Sequence, residues 1–381
     1  MTRYELTISP DYVPDWGVWE GVRELLQNAT DSEADGHPKS VWYDKECSTM
    51  YIANAGASLK RSNLLLGDTT KATKNMIGKW GEGFKLAFIC LLRSGLNIRI
   101  LTSTETWTPR FIHSKRYRSR LMVVDVEAVR CPWATGHLIF EVCGVTPQQF
   151  DDISKNYLGF QECGENIVGS HGTVLLDPSY AKKVYVAGLY VCTIEHSQMR
   201  YGYDFAPNAI ELDRDRRSVS WFNLFWETSA VFASTKDSSV SDVIHDLVLS
   251  GAPDIDYYQQ QAGKKTKLYL DVCEQSYKKF IETHGKQAVP VKNPDEADLI
   301  RNKFNGLVPV ILTEKQIEYV SSAPSFISST KSKVAGKMGD INTPYRVITR
   351  FLQKHKQRLS KFAIERIEKE LVPESKHWAR R

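Results

Sequence analysis

Glu24, Asn28 and Asp31 are spaced so that one helical face would carry two acids and an amide, since i, i+4 and i+7 fall on one side of a 3.6-residue repeat. The opposite side is apolar. Val18, Val22, Leu25, Leu26 and Ala29 recur at three- and four-residue steps, the pattern of a helix lying on a sheet. A carboxylate on such a face can take a proton from water, and an amide oxygen can ligate Mg²⁺, which keeps few protein ligands and otherwise holds phosphates and waters. A solvated helix face satisfies the same spacing, so the row needs partners from elsewhere in the chain.

Glycine-bearing stretches offer those partners. Asn54-Ala55-Gly56-Ala57-Ser58 follows a strand-like Met50 to Ala53, and Gly78-Lys79-Trp80-Gly81-Glu82-Gly83-Phe84-Lys85 runs into an apolar helix expected from about Phe84 to Leu92. Glycines let backbone N–H groups approach an anion, and the helix N-terminus adds partial positive charge. Lys85 in that first turn opposes the helix dipole unless something negative is near. The glycine spacing is neither Gly-x-Gly-x-x-Gly nor a Gly-Lys-Ser/Thr loop, which disfavours Rossmann and Walker sites. Gly172-Thr173 precedes a further short strand, Val174 to Leu176.

In this order, Glu-x-x-x-Asn-Ala-x-Asp and the three glycine motifs resemble the GHKL ATPase superfamily (gyrase B, heat-shock chaperone ATPases, histidine kinases, MutL, MORC) over roughly the first 180 residues. More loosely, Gly-Glu-Gly-Phe-Lys resembles ATP-binding proteins of tailed phages. The resemblance implies a Bergerat-type α/β two-layer sandwich binding ATP and Mg²⁺. It implies Glu24 as general base and Asn28 as magnesium ligand. Asp31, Asn54, Gly56 and Thr173 would shape the nucleotide pocket, and Gly78, Gly81, Gly83, Phe84 and Lys85 would hold phosphates. The polar, lysine-bearing segment from Leu59 to Ile77 would be the mobile lid. One departure stands out: the family usually has aspartate where this chain has Asn54, accepting from the adenine amino group. Asparagine keeps an acceptor oxygen and gains an NH₂. The family's following domain often supplies a cation to the γ-phosphate, which makes Arg214 and Arg216 candidates within Asp213 to Arg217. A self-paired surface charge run reads the same way. His245-Asp246 follows the ATPase motifs, whereas a kinase phosphoacceptor normally precedes them, so a kinase is a minor option.

The remaining chain bounds this reading. Its 381 residues carry a net charge of +5 and suffice for two or three domains. No apolar run approaches membrane-spanning length, and Met1 to Tyr12 lacks a signal-peptide core, so a cytoplasmic protein is expected. Seven cysteines include no Cys-x-x-Cys pair, so neither a zinc site nor a disulfide framework is expected. Residues 1–180 are read as the ATP-binding domain, 181–255 as a middle, transducer-like region and 265–330 as a small domain of three βα repeats. Residues 331–381 read as a basic amphipathic C-terminal helix. Arg3 to Ser9 is expected as an edge strand, Val184 to Val191 as one strand, and Leu268 to Val272 as another. The last segment holds fourteen Lys/Arg against five Asp/Glu. Nucleic acid, a membrane surface or an acidic protein would satisfy its charge, as would a solvated helix packed on the rest. Function is thus expected to be slow Mg-ATP hydrolysis, driving lid closure and domain docking or homodimerisation onto a macromolecular partner. The alternative, in line with the phage resemblance, is a non-hydrolysing, phage-encoded nucleotide-binding adaptor that binds a host protein or nucleic acid through the basic tail.

Overall fold

The computed structural model describes residues 1–65, 83–212, 220–235, 240–264, 266–304 and 306–327. The fold is mixed α/β, and the chain divides into two compact units, Met1–Gln275 and Ser276–Arg381. In the first unit the elements run β1 (Thr2–Leu6), α1 (Val18–Ala34), β2 (Lys39–Asp44), β3 (Thr49–Ala55), α2 (Gly83–Arg93), β4 (Asn97–Leu101), β5 (Glu105–Ser114), β6 (Ser119–Ala128), β7 (His137–Cys143) and α3 (Pro147–Asn156). The strands form one antiparallel sheet in the order β1-β6-β5-β4-β7-β3-β2, with β1 at an edge as its alternation predicts.

The core lies between this sheet and α1, α2 and α3. Val22, Leu25, Leu26 and Ala29 of α1 pack with Ala87 to Ile89 and Leu91 of α2, over Ile52, Ile98, Ile100, Met122, Val124 and Val142 of the strands. Local chemistry sets the helix ends. Glu20 Oε2 accepts from Gly17 N at 2.8 Å to start α1, and Thr146 and Gln149 exchange side-chain to backbone bonds to start α3 behind Pro147. At the other end of α2, Arg93 donates to the carbonyls of Pro10, Tyr12, Val13 and Trp16, tying the α1 approach to that helix.

β5 escapes the sequence pattern because Pro109 interrupts it, and it lies beyond the last rung that β5 shares with β4. A second sheet follows, from β8 (Asn166–Gly169), β9 (Gly172–Leu175), β10 (Lys183–Val186), β11 (Leu189–Thr193) and β12 (Gly202–Phe205), in the order β11-β10-β12-β9-β8. This sheet runs across residue 180. The run 184–191, expected as one strand, is instead a tight hairpin, because Ala187 (φ 50°) and Gly188 (φ 80°) both adopt left-handed backbone between β10 and β11. Helices α4 (Trp221–Ser234), α5 (Val240–Ser250) and α6 (Tyr258–Ala262) complete the unit. Buried Asp254 binds them to the sheet, accepting from Tyr203 Oη at 2.6 Å and from Arg200 N, while its own carbonyl accepts from Thr228 of α4.

Helix α7 (Lys267–His284) replaces the strand expected over Leu268 to Val272. The reason is periodicity: Tyr269, Val272, Cys273, Ser276 and Phe280 are the buried positions, at i, i+3, i+4, i+7 and i+11, so a short apolar run concealed a helical stripe. The second unit adds β13 (Ala288–Val291), α8 (Pro294–Lys303), β14 (Val308–Ile311) and α9 (Glu314–Ser322), with β13 and β14 paired in parallel. Two strands, not three, thus make its described sheet. The expected C-terminal helix, 331–381, lies outside the described residues. No described helix is long and apolar enough to cross a membrane.

Candidate functional site: an acid and amide row against a helix N-terminus

Two glycines set the meeting of α1 and α2. A Cβ on Gly21 would stand 3.0 Å from Leu91 Cγ and 3.2 Å from Cys90 Cβ, near the end of α2. A Cβ on Gly83, which opens α2, would stand 2.8 Å from Glu24 Oε2 and 3.3 Å from Asn28 Nδ2. The helices are therefore antiparallel and closely packed, and the last glycine of the third motif lies on the acid and amide of the first. Any larger residue at either position would separate them.

Glu24 is only 3% exposed, and its Oε1 accepts from Arg23 Nη2 at 3.3 Å. Arg23 in turn lies over the Trp16 ring, 4.9 Å from its centroid. Asp31 is buried one turn beyond Asn28, which is half-buried. Phe84 packs edge-on to Phe88, and Lys85 is fully buried, with Nζ donating to the Leu65 carbonyl. Leu65 is the last described residue before 66–82, so Gly78 and Gly81 fall outside the described residues, as do Arg214 and Arg216.

Asn54, on β3, is buried beneath α1. Its Nδ2 donates to the carbonyls of Ala29 at 3.0 Å and His37 at 2.9 Å. Since both partners can only accept, the amide orientation is fixed and both its hydrogens are used internally. Gly56, with φ 72°, donates its N–H to the Gly136 carbonyl, and a Cβ there would meet His37 Nδ1 at 3.3 Å.

Thr173 stands on β9 in the second sheet, opposite Asp204 of β12. Lys39 links the two sheets electrically: it lies across from Asn54 in the first, bonds Thr30 Oγ1 and Glu33, and its charge acts on Asp204 in the second. Burial nonetheless pushes the Asp204 carboxyl up to about 6, against the lowering effects of the Gly188 N–H, 2.7 Å from Oδ1, and of Lys39. A folded carboxyl titrating above its ordinary 3.8 holds its proton longer than the unfolded chain does, so its stabilising share is greatest below pH 3.8 and is lost as pH rises to about 6. Asp204→Asn, which keeps the acceptor oxygen, is expected to remove that loss, a gain of up to about 3 kcal/mol at pH 7 over the wild type. Urea unfolding at pH 4 and pH 7 checks it; an unchanged pH dependence would refute it.

Among the described residues no three His, Cys, Asp or Glu side chains converge as a metal cage. A divalent ion beside Asn28 would then rely on phosphate and water oxygens, the usual habit of Mg²⁺. A cavity of about 340 Å³ lies elsewhere, lined by Ala209, Glu211, Asn223, Trp226 and Glu227. Its two carboxylates make it unsuited to a triphosphate. Sequence reasoning missed Gly21, Arg23 and Arg93, whose roles appear only once α1 and α2 are side by side. No family model matches the chain, and no curated protein matches it.

Proposed function

We propose that the chain is a Mg-ATP-binding protein of GHKL type with a Bergerat-type domain, hydrolysing ATP slowly and using nucleotide-dependent lid closure to act on a macromolecular partner. The observation that carries this reading is Gly83 lying against Glu24 and Asn28. Because Gly83 has no Cβ, a carboxylate and an amide come up directly against the first N–H groups of α2.

Those residues suit the nucleotide. The N–H groups at the start of α2 would hold phosphate oxygens, Asn28 would offer its amide oxygen to the cation, and Glu24 would orient and deprotonate the attacking water. Bound Mg²⁺ would supply neutralising charge for the phosphates. Asn54 and Gly56 would border the base, with Asp31 behind them. Domain docking or homodimerisation would follow the lid, and the basic segment 331–381 is available for a protein or nucleic-acid partner. The Arg23 to Glu24 pair favours a second reading, a nucleotide-binding adaptor without hydrolysis, because one oxygen of that carboxylate is already engaged by a guanidinium.

The test is Mg-ATP binding by calorimetry and phosphate release by the full chain, beside Gly83→Ala. The wild type is expected to bind and release phosphate slowly. In Gly83→Ala the new methyl meets buried Glu24 Oε2 and pushes the start of α2 off α1, so release should fall at least about tenfold and the fold should lose some stability in urea unfolding. Absence of ATP binding by the wild type would end this reading; binding without release would leave the adaptor.

A further inference from the structure

The β5–β6 hairpin carries a concentration of charge that the nucleotide reading leaves unused. Between Arg110 and Asp125 there is no acidic residue, while Lys115, Arg116, Arg118 and Arg120 all cluster at the tip with His113. Register shows that the tip projects. β4 pairs with β5 only at Thr106 and Trp107, and β1 reaches β6 only from Met122 onward, so the rungs Ile112–Leu121, His113–Arg120 and Ser114–Ser119 and their loop extend past both neighbours. The four cations are exposed and form no ion pair among the described residues, unlike Arg110 and Arg3, which share Asp125.

Two details show that these side chains are not simply filling a turn. Arg118 has φ 50°, a left-handed backbone that glycine or asparagine adopts with less strain. Keeping arginine there sets its side chain above turn stability. Tyr117, at the tip, is 48% exposed, with the Arg116 guanidinium over its ring at 5.5 Å. Arg120 lies over Phe111 in the same way, at 5.2 Å.

We propose that this hairpin is a nucleic-acid-binding element: Arg116, Arg118 and Arg120, with Lys115, contact the phosphodiester backbone, and Tyr117 stacks on a base. Guanidinium groups suit phosphate oxygens through paired N–H donors, and an exposed ring beside a cation offers a platform for an unpaired base. A lipid surface fits less well. Ile112 and Phe111 are half-buried, leaving Tyr117 as the exposed ring at the tip and no apolar wedge to enter a bilayer.

The experiment is fluorescence anisotropy of labelled random-sequence oligonucleotides, single-stranded and duplex, with the full chain. The wild type is compared with Arg116→Gln/Arg118→Gln/Arg120→Gln, Tyr117→Ala and Arg118→Gly. The triple variant should weaken binding at least about thirtyfold at low salt. Its slope of log affinity against log salt should shrink by about 2.7 if the preferred ligand is duplex and about 2.1 if single-stranded. Tyr117→Ala should cost the single strand about tenfold and leave the duplex nearly unchanged. Arg118→Gly should fold as stably or more so, yet bind more weakly, which separates the turn from the ligand. The proposal is overturned if the wild type binds neither oligonucleotide, or if the triple variant binds with wild-type affinity and slope, which would assign binding to residues 331–381. Hairpin-dependent binding to phosphatidylserine vesicles without oligonucleotide binding would overturn it equally.

Discussion

Glu24→Gln is expected to lower phosphate release by about 10² to 10⁴ while Mg-ATP binding changes little, because the substitution removes a proton acceptor and keeps the side chain's shape. The geometry makes this a cleaner test than alanine. Glu24 is packed between Arg23 and the start of α2, and Arg23 is itself buried against Trp16. Alanine would leave the guanidinium buried without that acceptor, an effect that for broken buried pairs reaches about 3 to 5 kcal/mol. Glutamine retains an oxygen for Arg23 Nη2, so the fold should lose far less. Single-turnover phosphate release, with binding measured on the same preparation, gives the answer. Loss of release with retained binding supports Glu24 as the base and yields an ATP-trapped protein for finding partners. Release at the wild-type rate would remove Glu24 from the chemistry, and with it the reason for the motif.

Much of the framework around that site was legible because it is written in local periodicity. The apolar row from Val22 to Ala29 is buried as its spacing predicts, and so is the run at the centre of α2. What was not legible depends on contacts across long sequence separations. Gly83 meets Glu24 from a distant part of the chain, and Arg93 caps carbonyls from Pro10 to Trp16; no local pattern marks either. Partition between sheets is equally non-local. Gly172-Thr173 forms a strand, but its neighbours are β8 and β12, and it approaches the first sheet through Lys39 and Asp204 rather than by pairing with it. The basic hairpin was hidden by Pro109, since a strand that one proline interrupts loses its alternating signature.

Asn54→Asp would introduce the residue usual in the family that the motifs resemble, and it is expected to be among the most damaging single changes to this fold. The Asn54 amide donates to two carbonyls, one of Ala29 within α1 and one of His37 at the approach to β2, and so holds the motif helix to the strand beneath it. A carboxylate in that place has no hydrogen to give. It would set negative charge about 3 Å from two carbonyl oxygens in a buried site, forfeiting two bonds and adding repulsion, together about 3 to 5 kcal/mol. Its folded-state pKa would therefore rise, and the sign follows: the variant is most stable at low pH, where a protonated oxygen can donate once, and loses stability as pH rises through that raised value. Urea unfolding at pH 5 and pH 8 should show the deficit growing with pH, with Asn54→Ala more stable than Asn54→Asp at pH 8. If the aspartate variant were as stable as wild type and bound ATP more tightly, Asn54 would be a base-reading residue first and a helix tie second. If the deficit appears as described, the asparagine is explained by packing: this chain uses the NH₂ to fasten α1, and keeps only the amide oxygen for any ligand.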